Sequence, residues 1–442
     1  MVAGTHSGAG KTTVATGLLA ALRAAGARPA GAKIGPDFID PGYHALACRL
    51  PPRNLDPWLC GEASMVPLAA RAASRGEILI VEGVMGMFDG ASDGTPSSTA
   101  DVAVMLDAPV LLVVDASAMS RSIAAMVHGF ATFDPRVRLA GVIANKVGSQ
   151  GHAILVREAL EPLGIPLLGA IPRDDAFAWR DRHLGLVPVV ERRSDVETSV
   201  SRLADAVAQS VDLASVLRIA DGARTLDAGP VTVPAEGPHV RIAVAGGQAF
   251  SFTYTDTIEA LEAGGAEVVA FDPLADRALP QAVDGVIVGG GFPEVYAGDL
   301  SDNRNLLSDL RRHAGEGIPI WAECGGLLLL GESLDGHPMA GVLPATAWMT
   351  ASLTLGYRHV TTRAASPIGP PGTRITGHEF HYSTAEPAGD ALELSSRWGT
   401  SLEGWSSETL LATYVHHHPG GDPRAVGSFL RTCALRRTLR SA

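Results

Sequence analysis

Short apolar runs alternate with amphipathic stretches through the first half of the chain, the pattern of a parallel sheet joined by crossover helices. Continuous Val/Ile/Leu/Ala runs predict strands at residues 30–34, 78–82, 110–115, 139–145 and 166–170, because strands covered on both faces lose the in–out alternation. Helical spacing predicts helices over 15–25 and 152–163. Residues 220–238 break the pattern: Gly, Pro, Ala and Asp dominate, with Pro230, Pro234 and Pro238 closely spaced, as in a linker. A second alternating set follows, with strands at 240–244, 267–271, 285–288 and 319–322. Beyond Gly341 the pattern turns to β-hairpins, and a last helix starts near Pro423. The expected fold class is α/β with two domains, 1–222 and 239–442. Only Met1-Val2-Ala3 precede Gly4, short for a central strand; either that strand is cut short or the natural start lies upstream, and the second is preferred.

Composition narrows the class. Of 442 residues, 46% are hydrophobic and 19% charged, which fits globular domains. A net charge of −12 argues against a nucleic-acid partner, since phosphate binding wants clustered Lys and Arg. No apolar run approaches the roughly 20 residues of a membrane span, and no signal peptide is expected. Four cysteines (Cys48, Cys60, Cys324, Cys433) are too sparse for a disulfide framework. A cytoplasmic enzyme is the expectation.

The first chemical motif is Gly4-Thr5-His6-Ser7-Gly8-Ala9-Gly10-Lys11-Thr12-Thr13. Gly8 and Gly10 let backbone N–H groups point at phosphate oxygens, and the following helix adds its positive end. Lys11 would reach the β/γ-phosphates, the Thr12 hydroxyl would face Mg²⁺, and Thr13 completes the nucleotide-binding candidates. The first Gly stands at Gly4 where the strict pattern wants position 5. The bland alternative is a glycine-rich turn that happens to precede Lys-Thr; the helix after it and the sheet pattern behind it argue otherwise. Magnesium beside a phosphate also needs carboxylates from strand ends. Asp37, in Lys33-Ile34-Gly35-Pro36-Asp37, and Glu82, closing Ile78-Leu79-Ile80-Val81-Glu82, fit that need, although either alone could be a helix cap or a surface charge. Lys33 would add positive charge against the γ-phosphate. Asn145-Lys146 stands at a strand end where base-recognition residues often lie.

The second motif is Ile318-Pro319-Ile320-Trp321-Ala322-Glu323-Cys324-Gly325-Gly326-Leu327, an apolar strand turning sharply into a helix. Small residues after Cys324 permit the strained turn that presents a nucleophile beside backbone N–H groups. Gly289-Gly290-Gly291-Phe292-Pro293-Glu294 would supply a further oxyanion donor. Cysteine is often a buried structural residue, so Cys324 needs a base to count as catalytic. His416 ends the run 411–416, read as a strand, and would be that base. His418 competes, because strand alternation puts 416 and 418 on one face. Sequential histidines cannot all face one ion, which disfavours a metal there. Cys48, Cys60 and Cys433 read as structural.

These motifs, with Phe38-Ile39-Asp40-Pro41-Gly42-Tyr43-His44 after Asp37, Val81-Glu82-Gly83-Val84-Met85-Gly86-Met87-Phe88-Asp89-Gly90, Gly377-His378-Glu379-Phe380-His381-Tyr382-Ser383 and Tyr414-Val415-His416, resemble the cobyrinic and hydrogenobyrinic acid a,c-diamide synthase family of cobalamin biosynthesis along nearly the whole chain. The resemblance implies an N-terminal P-loop domain similar to dethiobiotin synthetase and a C-terminal class I-like glutamine amidotransferase domain. It implies a carbon–nitrogen ligase: ATP phosphorylates the a- and c-acetate carboxylates of a corrinoid, and ammonia from L-glutamine converts each to an amide. Cys324 would be the nucleophile and His416 the residue raising its nucleophilicity. Thr12, Asp37 and Glu82 would be magnesium-side ligands, with Lys11 and Lys33 on phosphate. Ordinary class I amidotransferases carry a Glu two residues after the histidine; His418 stands there, so the base would work in a dyad, and the choice between His416 and His418 stays open. The cobalt content of the ring and the oligomeric state, a homodimer included, also stay open. Rival readings are cobyric acid synthase, a nickel-sirohydrochlorin a,c-diamide synthase, and a ParA/MinD-type ATPase with a degenerate amidotransferase tail. The last usually has a lysine where His6 stands and needs no intact cysteine elbow.

Overall fold

The computed structural model describes residues 1–174, 181–182, 185–186, 188–226 and 237–441. Most of the expected linker, with Pro230 and Pro234, lies outside them. The chain divides into two compact units, Met1–Val231 and Thr232–Ala442. Among the described residues, no helix is long and apolar enough to cross a membrane.

The first unit is built on β1 (Val2–Gly4), β2 (Pro29–Ile34), β3 (Arg53–Leu55), β4 (Ile78–Glu82), β5 (Val110–Asp115), β6 (Leu139–Val147) and β7 (Leu167–Pro172), which form one sheet in the order β3-β2-β4-β1-β5-β6-β7. All its pairings are parallel, so both faces need covering and the strands read as apolar runs. β1 has three residues yet lies mid-sheet, with Val2 between Glu82 and Leu111. The chain leaves β1, crosses over β4 and enters β2, then returns to β4. Ligands in such sheets bind at the carboxyl ends, where the order reverses. Helix α1 (Lys11–Ala24) starts earlier than its periodicity predicts, because Gly10 at φ 98° closes the preceding loop directly onto Lys11. Its apolar residues are buried, and Gly17 admits the helix Arg193–Ser210: a methyl on Gly17 would lie 2.6 Å from Val207.

The second unit has β8 (Val240–Ala245), β9 (Ala266–Phe271), β10 (Gly285–Val288), β11 (Ile320–Glu323), β12 (Thr346–Thr362), β13 (Arg374–Glu386), β14 (Leu392–Ser396), β15 (Gly399–Glu403), β16 (Trp405–Ser407), β17 (Leu410–Thr413) and β18 (His416–His417). One sheet runs β9-β8-β10-β11-β17-β16; in the other, the β12–β13 hairpin pairs with β18. Along β11 the period of two sends Ile320 and Ala322 into one apolar core and Trp321 into the core on the opposite face. The helix Arg424–Ser441 closes the unit.

The run 411–416 is not one strand. β17 ends at Thr413, and the chain joins the other sheet at His416, which pairs with His378. Glu403 causes the break. Its carboxyl accepts the Thr413 hydroxyl, and its second oxygen accepts the Tyr414 N–H at 3.2 Å, so that N–H leaves the ladder. The alternation expected for positions 416 and 418 therefore does not hold.

Candidate functional site

At the carboxyl ends of β1, β2 and β4 the P-loop meets an acidic cluster. Parallel register sets Lys33 of β2 against Glu82 of β4. The Lys33 ammonium donates to Glu82 Oε1 at 2.8 Å and pairs with Asp40 Oδ2 at 2.7 Å. Thr12, in the first turn of α1, donates its hydroxyl to Glu82 Oε1 at 2.7 Å and to Asp40 Oδ2 at 3.2 Å. The other oxygen of Glu82 lies 2.6 Å from His44 Nε2, and both side chains are fully buried. Burial pushes the Glu82 carboxyl up, but the Lys33 ammonium and the His44 ring outweigh it and hold it below the usual carboxylate range. Burial alone would lower Lys33; Asp40, Glu82 and Asp37 raise it above an ordinary lysine. Asp40 is pushed well up by burial and by Asp37 beside it, against the pull of Lys33.

Asp40 thus sits with Thr12 and Glu82, whereas Asp37 is the turn acceptor: its Oδ1 takes the N–H groups of Ile39 and Asp40, at 2.8 and 3.0 Å, and starts the helix α2 (Asp40–Cys48). Sequence reasoning singled out neither Asp40 nor His44 as a site residue, although both lie in the quoted motif. Two residues separate the two aspartates, and only the turn decides which carboxylate swings inward. Lys11 donates to Met85 O at 2.5 Å and to His6 O at 3.2 Å. Burial, with Lys33 nearby, lowers it to about 8. Gly8 and Gly10 have φ of 84° and 98°. A side chain on Gly10 would meet Asn145 Nδ2 at 2.0 Å, and that amide donates to Ala9 O at 3.1 Å. Asn145 therefore braces the loop itself. Thr13 is part-exposed beside Thr12.

The oxygen donors gathered here suit a hard divalent cation such as magnesium. Thr12, Asp40 and Glu82 converge as hard oxygen donors. Among the described residues no group of three or more His, Cys, Asp or Glu forms a ready-made metal cage. That is compatible with an ion held by a hydroxyl, one or two carboxylates and nucleotide phosphates.

The second constellation lies in the other unit. Cys324 follows β11 with φ 49° and ψ −104°, a backbone conformation unfavourable for any residue with a Cβ. The helix Gly325–Leu330 begins at once. Only glycine fits at 326, where a methyl would lie 2.1 Å from Val288 O. The Cys324 N–H donates to Thr413 O at 2.7 Å, locking the elbow to β17. A methyl on Gly290 would lie 3.1 Å from His416 Nε2 and 3.4 Å from Cys324 Cβ, so imidazole and cysteine converge over that glycine. The Gly291 nitrogen lies beside Gly325, 3.2 Å from where a Cβ would stand.

The three histidines go three ways. His416 and Cys324 lie together against Gly290. His417 stacks on Trp321 and places Nδ1 3.1 Å from Thr376 O. His418 packs on Tyr254 with Nε2 3.8 Å from Asp256. Burial pushes the Cys324 thiol up to about 12, with the Glu294 carboxylate adding to it. Burial also lowers His416 to about 3, helped by His378 and His381. The resting pair is a neutral thiol beside a neutral imidazole. Cys48, Cys60 and Cys433 are buried and form no disulfide.

The chain matches the CobQ/CobB/MinD/ParA nucleotide binding domain over residues 1–187 and the CobB/CobQ-like glutamine amidotransferase domain over residues 241–423. It is 45% identical to the hydrogenobyrinate a,c-diamide synthase of Streptomyces coelicolor, covering 98% of this chain and 97% of that protein. It is likewise 45% identical to the hydrogenobyrinate a,c-diamide synthase of Thermobifida fusca, covering 98% and 96%. With the cobyrinate a,c-diamide synthase of Syntrophotalea carbinolica it shares 43% identity over 98% of each chain. This two-domain chain belongs to the cobyrinate and hydrogenobyrinate a,c-diamide synthase family.

Proposed function

We propose that the protein uses ATP and glutamine to amidate the a- and c-acetate carboxylates of a cobyrinate-type corrinoid, with residues 1–222 as the amidoligase domain and 239–442 as the glutaminase. The observation that carries this reading is the convergence of His416 on the strained Cys324 elbow, in a chain whose other unit gathers Lys11, Thr12, Lys33 and Glu82 around a P-loop.

A carboxylate resists nucleophilic attack, and transfer of the γ-phosphoryl group makes it an acyl phosphate. Gly8, Gly10 and Thr13 cradle the phosphates, with Lys11 turning from Met85 O to meet them. Asn145 fixes the loop. Thr12, Glu82 and Asp40, with Asp37 behind them, would hold Mg²⁺, which would supply positive charge against phosphate oxygens. Lys33 steadies the carboxylates and faces the charge that develops on the transferring group. In the other unit, Cys324 Sγ attacks the glutamine amide carbon while His416 takes the thiol proton. The N–H groups of Gly291 and Gly325 receive the oxyanion. Collapse breaks the C–N bond, His416 returns the proton to the leaving ammonia, and water hydrolyses the thioester.

The test is Cys324→Ala assayed with cobyrinate and with hydrogenobyrinate, Mg-ATP, and either glutamine or an ammonium salt. Amidation from glutamine is expected to vanish and amidation from ammonium to persist. If ammonium fails as well, the assignment of nitrogen release to Cys324 alone is wrong.

A further inference from the structure

The base beside Cys324 lacks the carboxylate that usually follows it two residues later, since His418 stands there and turns to Asp256. The fold offers another source. Glu323 immediately precedes the nucleophile and ends β11. Period-two alternation puts its side chain on the same face as Trp321, the face against which His417 stacks. β18 arrives on that side. As a result Glu323 Oε2 lies 3.8 Å from His416 Nδ1, while Oε1 accepts the His417 N–H at 3.2 Å. The imidazole therefore has two different edges: Nε2 over Gly290 and the cysteine, Nδ1 towards a carboxyl.

We propose that Glu323 is the positioning residue of the glutaminase, orienting His416 through Nδ1 and supporting the imidazolium that forms when Nε2 takes the Cys324 proton. This deepens the reading above and rests on it. One residue of the elbow thus supplies the nucleophile and its predecessor supplies the third member of a triad, in place of a position downstream of the base. The Nδ1–H directed at Glu323 fixes the tautomer that leaves Nε2 free to accept, the role a buried carboxylate plays in other base-assisted nucleophiles. The resting separation is 3.8 Å, and catalytic contacts of this kind are often long without substrate and tighten when it binds. The active form carries Glu323 ionised, and Glu323 keeps that charge throughout: the thiol proton moves to His416 and then to ammonia. Burial pushes the resting carboxyl up to about 8, against the opposing pull of the N–H groups of His417 and Trp321. The charge on His416 adds to that pull.

The bland alternative is that Glu323 only ties β11 to β18 through the His417 N–H. Glu323→Gln separates the two, since its amide oxygen keeps that hydrogen bond and loses the charge. In the full chain, with Mg-ATP and corrinoid, Glu323→Gln is expected to lower the glutamine-dependent kcat about 100-fold, the low end of what a positioned base supplies. The KM for glutamine and the ammonium-dependent rate should stay within about twofold, and Glu323→Asp should recover part of the loss. A ratio of glutamine- to ammonium-dependent kcat equal to wild type in Glu323→Gln, whatever the absolute rates, overturns the proposal. So does a raised KM for glutamine with kcat unchanged, which would make Glu323 a substrate contact. Retention of glutamine use by Cys324→Ala in the same series would instead defeat the parent reading, so the two failures are distinguishable.

Discussion

Glu82 shows how much one side chain depends on neighbours far away in sequence. Its two oxygens are divided: Oε2 goes to His44, and Oε1 is shared by Thr12 and Lys33. Removing the imidazole leaves a buried anionic oxygen with no donor, which costs about 1–3 kcal/mol. His44→Leu should therefore lower the stability of the N-terminal unit by about 2 kcal/mol in denaturant titrations. It should also raise the Mg²⁺ concentration needed for half-maximal amidation with ammonium. If both stay unchanged, Lys33 and Thr12 alone place Glu82. The acid at the end of a buried strand was visible in the sequence because residues 78–82 carry their own signal. His44 was not, because it meets Glu82 only through the start of α2, and that start depends on Asp37 accepting two backbone N–H groups.

At the scale of elements, the parallel strands of both units and the cysteine elbow were legible, since each is written in contiguous residues. The delivery of His416 was not. Residues 411–416 have every local mark of one strand, and what divides them is Glu403, on another strand and polar in a buried place. Burial pushes Glu403 up to about 8, against the pull of Thr413 and Tyr414. It is therefore protonated in the fold across a range where the unfolded side chain, near 4.5, is ionised. Between those values the folded state binds the extra proton, so stability falls as pH rises through the window and levels off above it. Glu323 adds a loss of the same sign, also ending at about 8. Glu403→Gln should keep the Tyr414 N–H bond and remove one of these two protons. Unfolding free energies measured at pH 5, 6.5 and 8 should then decline less steeply than in wild type. An unaltered slope would mean that Glu403 is ionised in the folded protein.

For the molecule as a whole, the question is which half sets the response to pH. Lys11 is the group to examine, because burial and the nearby Lys33 bring it down to about 8 and its charge is what a triphosphate would meet. Below that value Lys11 carries its proton and the P-loop is ready for ATP; above it the free protein has lost the cation. Nucleotide binding must then take up a proton, so the KM for ATP should climb as pH rises past about 8. The thiol lies higher, at about 12, and the base lower, at about 3, while Glu323, at about 8, would act on kcat with glutamine and not on the KM for ATP. The limb in the KM for ATP should consequently appear with either nitrogen source, once rates with ammonium salts are expressed per free ammonia. Lys11→Arg keeps a charge that does not titrate there and should flatten it, while Lys11→Ala should abolish amidation from both sources and leave glutamine hydrolysis measurable. If the limb appeared with glutamine alone, it would belong to the cysteine half, and the lowered Lys11 would have no part in how the enzyme meets its nucleotide.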